Sequence, residues 1–304
     1  MLSILIPNFD ENVDKLVRDL HVQATDLDTP FEILICDQAQ SKENFEVNNA
    51  LNELPEVEYF KWSEQPGRAA NRNHLARKAK GEWYFFIDSD AELIHPWTLS
   101  RFWKAKHSES VICGTMYYRD EDPGPKYRLR WKYGRNREMR SPIDRSKNPY
   151  ASFISFAFLI GCDSFEKVKF NESVVEYGHE DTLFGKHLKY AMIRPMHIDA
   201  DILHNGLISA DEFLEKVRQS VRSLALLTEL GHVDDDYRVY KIQQWLAKRY
   251  LDYVVAIKFT VLRGLIEYNL KGKHPSIFLL DMYKLGYFCT LRRGVSRSAK
   301  TLRS

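Results

Sequence analysis

Cysteine is scarce in this sequence. The 304 residues include four cysteines, Cys36, Cys113, Cys162 and Cys289, and no two of them form a C-x-x-C pair. This spacing argues against a zinc knot or a disulfide framework. Three of the four lie in apolar runs, which is typical of small core residues in a reducing, cytoplasmic protein.

Long apolar runs are also missing. No stretch of about 18 uncharged apolar residues occurs, so no transmembrane helix is predicted. The closest approach, 250–270, is interrupted by Asp252, Lys258, Arg263 and Glu267. The N-terminus MLSILIPNFDEN has no basic region, and it predicts a first strand in place of a signal peptide. A net charge of +2 is too small to predict nucleic-acid binding.

Short apolar runs do alternate with amphipathic segments over the first two-thirds of the chain. Buried strands are predicted in LSILIP, FEILICD, EVEYFKW and EWYFFIDSD, with helices between them. This order predicts an α/β protein with a Rossmann-like, mostly parallel sheet flanked by helices. Ligands bind such sheets at the carboxyl ends of the strands, which is where Asp37, Asp88 and Asp90 stand.

The rest of the chain has a different pattern. A long loop is predicted over 119–150, where ten basic and five acidic residues are interleaved with aromatic ones. Loops of this length are functional or disordered. Amphipathic helices are predicted after a capping box at Ser209–Glu212. We expect a catalytic domain over 1–205 and a C-terminal helical extension over 206–304 with a basic tail.

Four groups of residues could carry chemistry. Asp88 and Asp90 at a strand end could share a hard divalent cation, or they could only form a turn. Glu180 and Asp181 follow a glycine at a helix start, where they could supply a general base or simply cap the helix. His204 ends an apolar strand and could complete a Mn²⁺ shell or be structural. A fourth group, Arg68, Arg72 and Asn73, could bind an anion or form a solvated face.

The order of these features resembles family 2 inverting glycosyltransferases of the GT-A fold. That family typically shows P-x-Y-N after the first strand, D-D-G-S after the second, then G…A-R-N-x-G…A-x-G-E ending in D-x-D, and G-x-E-D. This chain has IPNFD (6–10), ICDQAQ (35–40), GRAANRNHLARKAKGEWYFFIDSD (67–90) and FNESVVEYGHED (170–181). The match covers about residues 1–205.

The resemblance implies roles for particular residues. Asp37 would bind the nucleobase, usually uracil, and the nucleoside pocket would be lined by Pro7, Gly67 and Arg72. Asp88 would face ribose or metal, and Asp90 would ligate the divalent cation, Mn²⁺ or Mg²⁺, with His204 as an additional ligand. Asp181 would be the catalytic base, and Glu180 would bind acceptor or support the site.

The chain also departs from the family pattern. Asp10 stands where Asn is common, Cys36 replaces the first Asp of D-D, and Gln38-Ala39 replaces Gly-Ser. These differences leave the nucleobase and the donor sugar open, while the metal and base positions are kept.

The implied reaction moves a sugar from a nucleotide diphosphate, UDP by resemblance, to a hydroxyl of a glycan or lipid-linked acceptor. The aromatic and basic C-terminal helices are expected either to touch the cytoplasmic face of a membrane peripherally or to pack on the catalytic domain or a second subunit. Whether the chain forms an oligomer is therefore left open.

Two other functions compete with this one. A sugar-phosphate nucleotidyltransferase shares such a sheet, but it should have a glycine-rich N-terminal loop, and residues 5–20 contain no glycine. A non-catalytic basic membrane-binding module would leave Asp88, Asp90, Glu180 and Asp181 without a purpose.

Overall fold

The structure is a computed structural model that describes residues 1–38, 43–62, 64, 67–106, 111–173, 178–234 and 237–301, with the backbone alone at 43 and 294–301. Residues 39, 40 and 66, the segment 174–177 and the side chains of most of the basic tail lie outside the described part of the chain. The chain forms two compact units, Met1–Arg119 with Arg137–Val175 and Glu180–Gly206, and Asp120–Asn136 with Glu176–His179 and Leu207–Ser304.

The first unit is built on one sheet of eight strands. In chain order these are β1 Leu2–Asn8, β2 Phe31–Asp37, β3 Val57–Lys61, β4 Trp83–Ile87, β5 Ala91–Leu93, β6 Val111–Tyr117, β7 Ala157–Gly161 and β8 Pro195–His204. The spatial order is β3-β2-β1-β4-β7-β6-β8-β5. The four predicted strands are all confirmed and pair in parallel, β3 with β2, β2 with β1 and β1 with β4.

Helices of the first unit connect the strands. They are α1 Asp14–Thr25, α2 Glu43–Asn49, α3 Arg68–Lys78, α4 Thr98–Ala105, α6 Pro142–Ser146, α7 Cys162–Val168 and α8 Glu180–Tyr190, with a 3₁₀ turn at Ala50–Glu53. The strands read as continuous apolar runs because both of their faces are covered, and β2 is buried from Glu32 to Asp37. An aromatic cluster fills one face, where the Phe86 ring stacks on Phe158 with centroids 4.9 Å apart.

Strand β8 contains an irregularity that bears on the site. Its pairing with β6 joins Cys113 to His197 and then Thr115 to Asp201, so β8 holds extra residues opposite Gly114. A Cβ on Gly114 would lie 2.6 Å from the Phe102 ring, so the bulge packs around a glycine. Beyond the bulge, regular pairing continues to the end of β8.

The second unit is helical. It contains α5 Arg128–Tyr133, α9 Ala210–Glu229, α10 Arg238–Ala247, α11 Asp252–Lys271 and α12 Ile277–Thr301. The predicted capping box is confirmed, since the Ser209 side chain accepts from the Glu212 backbone and Glu212 accepts from the Ser209 backbone. The core includes Phe213 and Tyr283. None of the helices that the structure describes is long and apolar enough to cross a bilayer.

The prediction of a long loop over 119–150 is wrong. It contains α5, a π-helical turn at Gly134–Glu138 and α6. In the second unit, Leu129 on α5 is fully buried, and the Arg130 guanidinium lies 5.5 Å from the Phe213 ring centroid. In the first unit, α6 is capped by the Ser141 side chain and has Pro142 in its first turn. Tertiary burial and a local cap thus order much of a segment that lacks helical periodicity.

Candidate active site

Arg72, which is buried, and Asp88, which is partly exposed, form an ion pair at the end of β4. The strand ends at Ile87, and the Asp88 backbone N–H donates to Phe156 O at 2.9 Å. From α3, Arg72 Nη2 donates to Asp88 Oδ1 at 2.6 Å. Burial raises the pKa of Asp88 above its ordinary value, while the charges of Arg72 and Arg68 act in the opposite direction. The pair therefore places a desolvated cation beside a carboxylate at the sheet edge.

Two of the three guanidinium nitrogens of Arg72 have no hydrogen-bond partner among the described residues. Its side chain is 1% exposed, and within the described part of the chain Nε and Nη1 are buried without a hydrogen-bond partner. Buried donors are normally satisfied, so an unpartnered guanidinium at this position suggests an anionic ligand. Gly67, directly before α3, has φ +96° and caps the helix without a side chain. No capping side chain therefore covers the backbone N–H groups at the start of α3.

Asp90 and His204 are brought together by the pairing of β5 with β8. Ala91 is opposite His204 in this pairing, and the Asn205 backbone N–H donates to Asp90 O at 2.9 Å. His204 Nε2 lies 3.5 Å from Asp90 Oδ2. The imidazole stacks against two rings, with centroids 5.2 Å from Tyr118 and 5.3 Å from Phe156. The ring is thereby fixed beside the carboxylate.

The surroundings of Asp90 fit a divalent cation. Its Oδ1 is buried and has no hydrogen-bond partner among the described residues. A Cβ on Gly206 would lie 2.1 Å from Asp90 Oδ2, so glycine keeps the space in front of the carboxylate open. In the described residues no three His, Cys, Asp or Glu side chains are grouped closely enough to hold a metal by themselves. Asp90 and His204 would thus give two ligands, and a bound diphosphate the others, as Mg²⁺ and Mn²⁺ sites often require.

Asp37 accepts hydrogen bonds at the ends of β1 and β2. Asn8 Nδ2 donates to Asp37 Oδ2 at 3.0 Å, and the Tyr59 hydroxyl donates to the same oxygen at 2.8 Å. The Asp10 backbone N–H, at φ +59°, donates to Oδ1 at 3.2 Å. Pro7 precedes Asn8 in β1, opposite Cys36. The carboxylate therefore has a fixed orientation at the same sheet edge as Asp88.

Glu180 and Asp181 occupy the first turn of α8. Glu180 is buried. Burial, together with the neighbouring charge of Glu180, raises the pKa of Asp181 to about 7, against a lowering by Arg72 and by a hydrogen bond with Ser155. Asp88 also contributes to this rise, so Asp181, Arg72 and Asp88 lie within electrostatic range of one another. An aspartate that gains or loses its proton near neutral pH is suited to general base chemistry.

The structure thus brings most of the predicted residues to one edge of the sheet. Arg72, Asp88 and Asp181 influence one another, and Asp90 interacts with Asp88 and with His204. Asn73 is different, because Nδ2 donates to Phe170 O at 2.9 Å and Oδ1 accepts from Phe170 N at 3.0 Å. Its predicted part in anion binding is not supported, and its amide instead holds a chain segment in place.

Several residues of the site were not predicted. They are Asn8, Tyr59, Tyr118, Ser155, Phe156 and Gly206. Only Asn8 carried a sequence signal, since it lies within the IPNFD motif. The others come from strands and loops whose neighbours depend on the order of strands in the sheet.

Comparison with known proteins agrees with the fold. The family model described as Glycosyl transferase family 2 matches residues 3–168, more than half of the chain. No curated protein sequence matches significantly. The chain belongs to glycosyl transferase family 2. It is therefore a glycosyltransferase with a GT-A fold.

Solved structures of similar fold include two glycosyltransferases. The mannosyltransferase PcManGT from Pyrobaculum calidifontis, in complex with GDP-Man and Mn²⁺, has a TM-score of 0.57 at 14% identity over 97% of this chain and 86% of its own. Glucosyl-3-phosphoglycerate synthase from Mycobacterium tuberculosis, in complex with Mn²⁺, UDP and phosphoglyceric acid, has a TM-score of 0.52 at 14% identity over 77% of this chain and 80% of its own. Both show the shared fold.

Proposed function

We propose that the protein is a metal-dependent inverting glycosyltransferase. It would transfer a sugar from a nucleotide diphosphate donor to a hydroxyl of a glycan or lipid-linked acceptor in a single displacement. The observation that carries this proposal is the electrostatic proximity of Asp181 to Arg72 and Asp88, beside the Asp90–His204 pair. The proposed base, the arginine proposed to bind the diphosphate and the proposed metal ligands would thus lie at one edge of the sheet.

The nucleoside would bind at the ends of β1 and β2. Asp37 would accept a hydrogen bond from the base, and Pro7 and Gly67 would line the pocket. UDP follows from the family resemblance, but the two structural neighbours are complexes with GDP-Man and with UDP. Because Cys36 and Gln38 replace family residues beside Asp37, the nucleobase is best determined by experiment.

The diphosphate would lie against Arg72, whose free Nε and Nη1 could donate to its oxygens. Asp88 would hold Arg72 in place and face the ribose or the cation. Asp90 and His204 would bind the divalent cation, Mn²⁺ or Mg²⁺. A bound cation would neutralise charge that develops on the diphosphate leaving group.

Asp181 would act as the base. Its carboxylate would take the proton of the acceptor hydroxyl as that oxygen bonds to the anomeric carbon. The bond from that carbon to the diphosphate oxygen breaks at the same time, and its electron pair leaves with the diphosphate. Glu180 would raise the proton affinity of Asp181 or bind the acceptor. One displacement by the acceptor hydroxyl, with Asp181 as base and no covalent intermediate, would invert the configuration at the anomeric carbon.

A thermal-shift panel of nucleotide sugars with and without Mn²⁺ tests the proposal. A ligand that binds the folded state raises the melting temperature, so one nucleotide sugar should do so, and more strongly with the cation. The proposal fails if no nucleotide sugar shifts the melting temperature under either condition. Contact of the C-terminal helices with a cytoplasmic membrane surface and assembly into an oligomer stay predictions.

A further inference from the structure

The outer side of α11 is an apolar surface with no cover among the described residues. Five exposed residues follow one another at intervals of three or four positions along it: Val254 (42% exposed), Ile257 (45%), Val261 (75%), Leu265 (70%) and Tyr268 (82%). Residues at this spacing lie on one side of a helix. We name these five residues the α11 face.

The inner side of the same helix is apolar as well. Ala256, Phe259 and Leu270 are buried, and the Phe259 ring packs edge-on against Tyr283 with centroids 5.2 Å apart. A helix that is apolar on both sides is usually covered on both sides. The inner residues account for the packing of α11 in its own unit, so the α11 face has some other partner.

Exposed aromatic residues directly precede α11 in the chain. Tyr250 is 83% exposed and Trp245 52% exposed, and the Arg249 guanidinium lies 4.1 Å from the Trp245 ring centroid. Tyrosine and tryptophan with a neighbouring cation favour the boundary between the lipid headgroups and the acyl chains.

The charge around this face has one sign. Residues 238–273 contain eight Lys and Arg but only two acidic residues, Asp252 and Glu267. Asp252 is paired with Arg293 at 3.2 Å, and Glu267 is paired with Arg263 at 2.8 Å. The unpaired exposed charges of this segment are therefore cationic, and they include Lys258 on α11 itself and three at the helix ends, Lys248, Arg249 and Lys273. Lys271 pairs instead with Asp211.

We propose that the α11 face binds the surface of an anionic phospholipid bilayer, with the helix lying in the plane of the interface. Apolar residues would enter the headgroup region while the surrounding Lys and Arg meet the lipid phosphates. A second copy of the chain fits less well, because a symmetric contact would bring two mainly cationic surfaces together. The proposal uses no residue of the candidate active site, and it would bring the enzyme to a lipid-linked acceptor.

Vesicle flotation with the full chain tests this proposal. The probes are vesicles of phosphatidylcholine alone and of phosphatidylcholine mixed equally with phosphatidylglycerol, without any nucleotide sugar. The protein should float with the mixed vesicles, float less with phosphatidylcholine alone, and dissociate as salt is added. Val261→Ser combined with Leu265→Ser should lower binding at least about tenfold, and Lys258→Glu should lower it about fivefold on the mixed vesicles only.

Matched variants distinguish loss of the membrane-binding surface from misfolding of the protein. Met192→Ser removes an equally exposed apolar side chain (86% exposed) from the first unit and should float like the unsubstituted protein. Circular dichroism should show unchanged helix content in every variant. Asp90→Ala should also float normally, so failure of the sugar-transfer proposal and failure of the membrane proposal can be told apart.

Three results would overturn the proposal. The protein could stay unbound at every vesicle composition, or the Val261→Ser, Leu265→Ser variant could float as well as its parent. The third is a dimer, seen by light scattering in lipid-free solution, that the same double variant abolishes; the α11 face would then be a contact between copies.

Discussion

Arg72 and Asp88 are joined by a hydrogen bond of 2.6 Å that connects the first helix after β3 with the end of β4. Arg72 is 1% exposed and Asp88 21% exposed, so the pair is shielded from solvent on the arginine side. Only one guanidinium nitrogen is used in this contact, while Nε and Nη1 are buried without partners in the part of the chain described. The pair thus links α3 to the end of β4, and it leaves two buried N–H groups that we propose donate to an anionic ligand.

Replacing Arg72 should therefore damage both stability and donor binding. In Arg72→Ala, Asp88 loses its partner in a desolvated setting, which typically costs about 3 kcal/mol. The affinity for a nucleoside diphosphate should fall at least about tenfold. Urea unfolding and isothermal titration calorimetry measure the two effects.

Arg77→Ala is the matched control on the same helix. Arg77 is 53% exposed and lies 3.3 Å from Glu172, and exposed pairs of this kind contribute about 0–1 kcal/mol. Equal losses of stability in Arg72→Ala and Arg77→Ala would contradict the role given to the buried pair.

Removal of the Asp90 carboxylate should abolish the effect of the cation. We expect Asp90→Ala to lower donor hydrolysis and sugar transfer at least about 100-fold, because charge on the leaving group loses its stabilisation. The fold should persist, since Asp90 side-chain oxygen Oδ1 has no partner among described residues. The measurement is turnover with Mn²⁺ added against turnover with chelator; full activity of the variant in chelator would exclude the metal role.

Asp181 should make turnover depend on pH. Its pKa is raised to about 7 by burial and by Glu180, so kcat/KM should rise with pH as the carboxylate forms and level off above about 7. Asp181→Asn should lower kcat about 10²–10⁴-fold and leave nucleotide binding intact. Unchanged turnover in this variant would transfer the role of base to another group.

The same carboxyl should link stability to pH. Since the folded state holds this proton more tightly than the unfolded chain, the contribution of Asp181 to the free energy of unfolding is complete below its ordinary pKa of 3.8 and declines as pH rises through about 7. Asp181→Asn lacks this decline, so its melting temperature relative to the unsubstituted protein should increase between pH 5 and pH 8. Asp163→Asn, at an exposed position in the first turn of α7, should show no such trend.

Gly206 should tolerate no side chain. A Cβ there would lie 2.1 Å from Asp90 Oδ2 and 2.8 Å from His204 Cε1, so Gly206→Ala should displace both proposed ligands and raise the Mn²⁺ concentration needed for half-maximal activity. Gly264→Ala is the control, because no atom lies within 4 Å of its added Cβ and alanine favours a helix. A normal Mn²⁺ dependence in Gly206→Ala would show that the metal lies elsewhere.

The parts of the fold that the sequence predicted were those with strong local signals. Apolar runs that end in aspartate identified β2 and β4, an apolar run closed by Pro7 identified β1, and the joint order of motifs identified the family. The three-residue strand β5 was missed because it is too short to show periodicity. Helices α5 and α6 were missed because they have no apolar repeat in the sequence. Packing against other segments and a local cap stabilise them instead.

The sequence pointed to candidate site residues where they carry charge or lie within a family motif, as Pro7 and Gly67 do. Asp37, Asp88, Asp90 and Asp181 follow strands or begin a helix, and their chemistry marks them. Tyr59 reaches Asp37 because β3 pairs with β2, which depends on sheet order. Residues that orient others through ring stacking or backbone space, such as Phe156 and Gly206, have no pattern of their own in a single sequence.

The irregular pairing of β8 has a consequence for how chains of this kind can change in length. Residues 198–200 stand between two regular stretches of pairing, at Cys113–His197 and Thr115–Asp201. An insertion or deletion among them can be absorbed locally, as bulges permit. A single insertion or deletion between Asp201 and His204 would instead turn the imidazole to the opposite side of the sheet. In related chains, insertions and deletions should therefore be common at 198–200 and absent between Asp201 and His204.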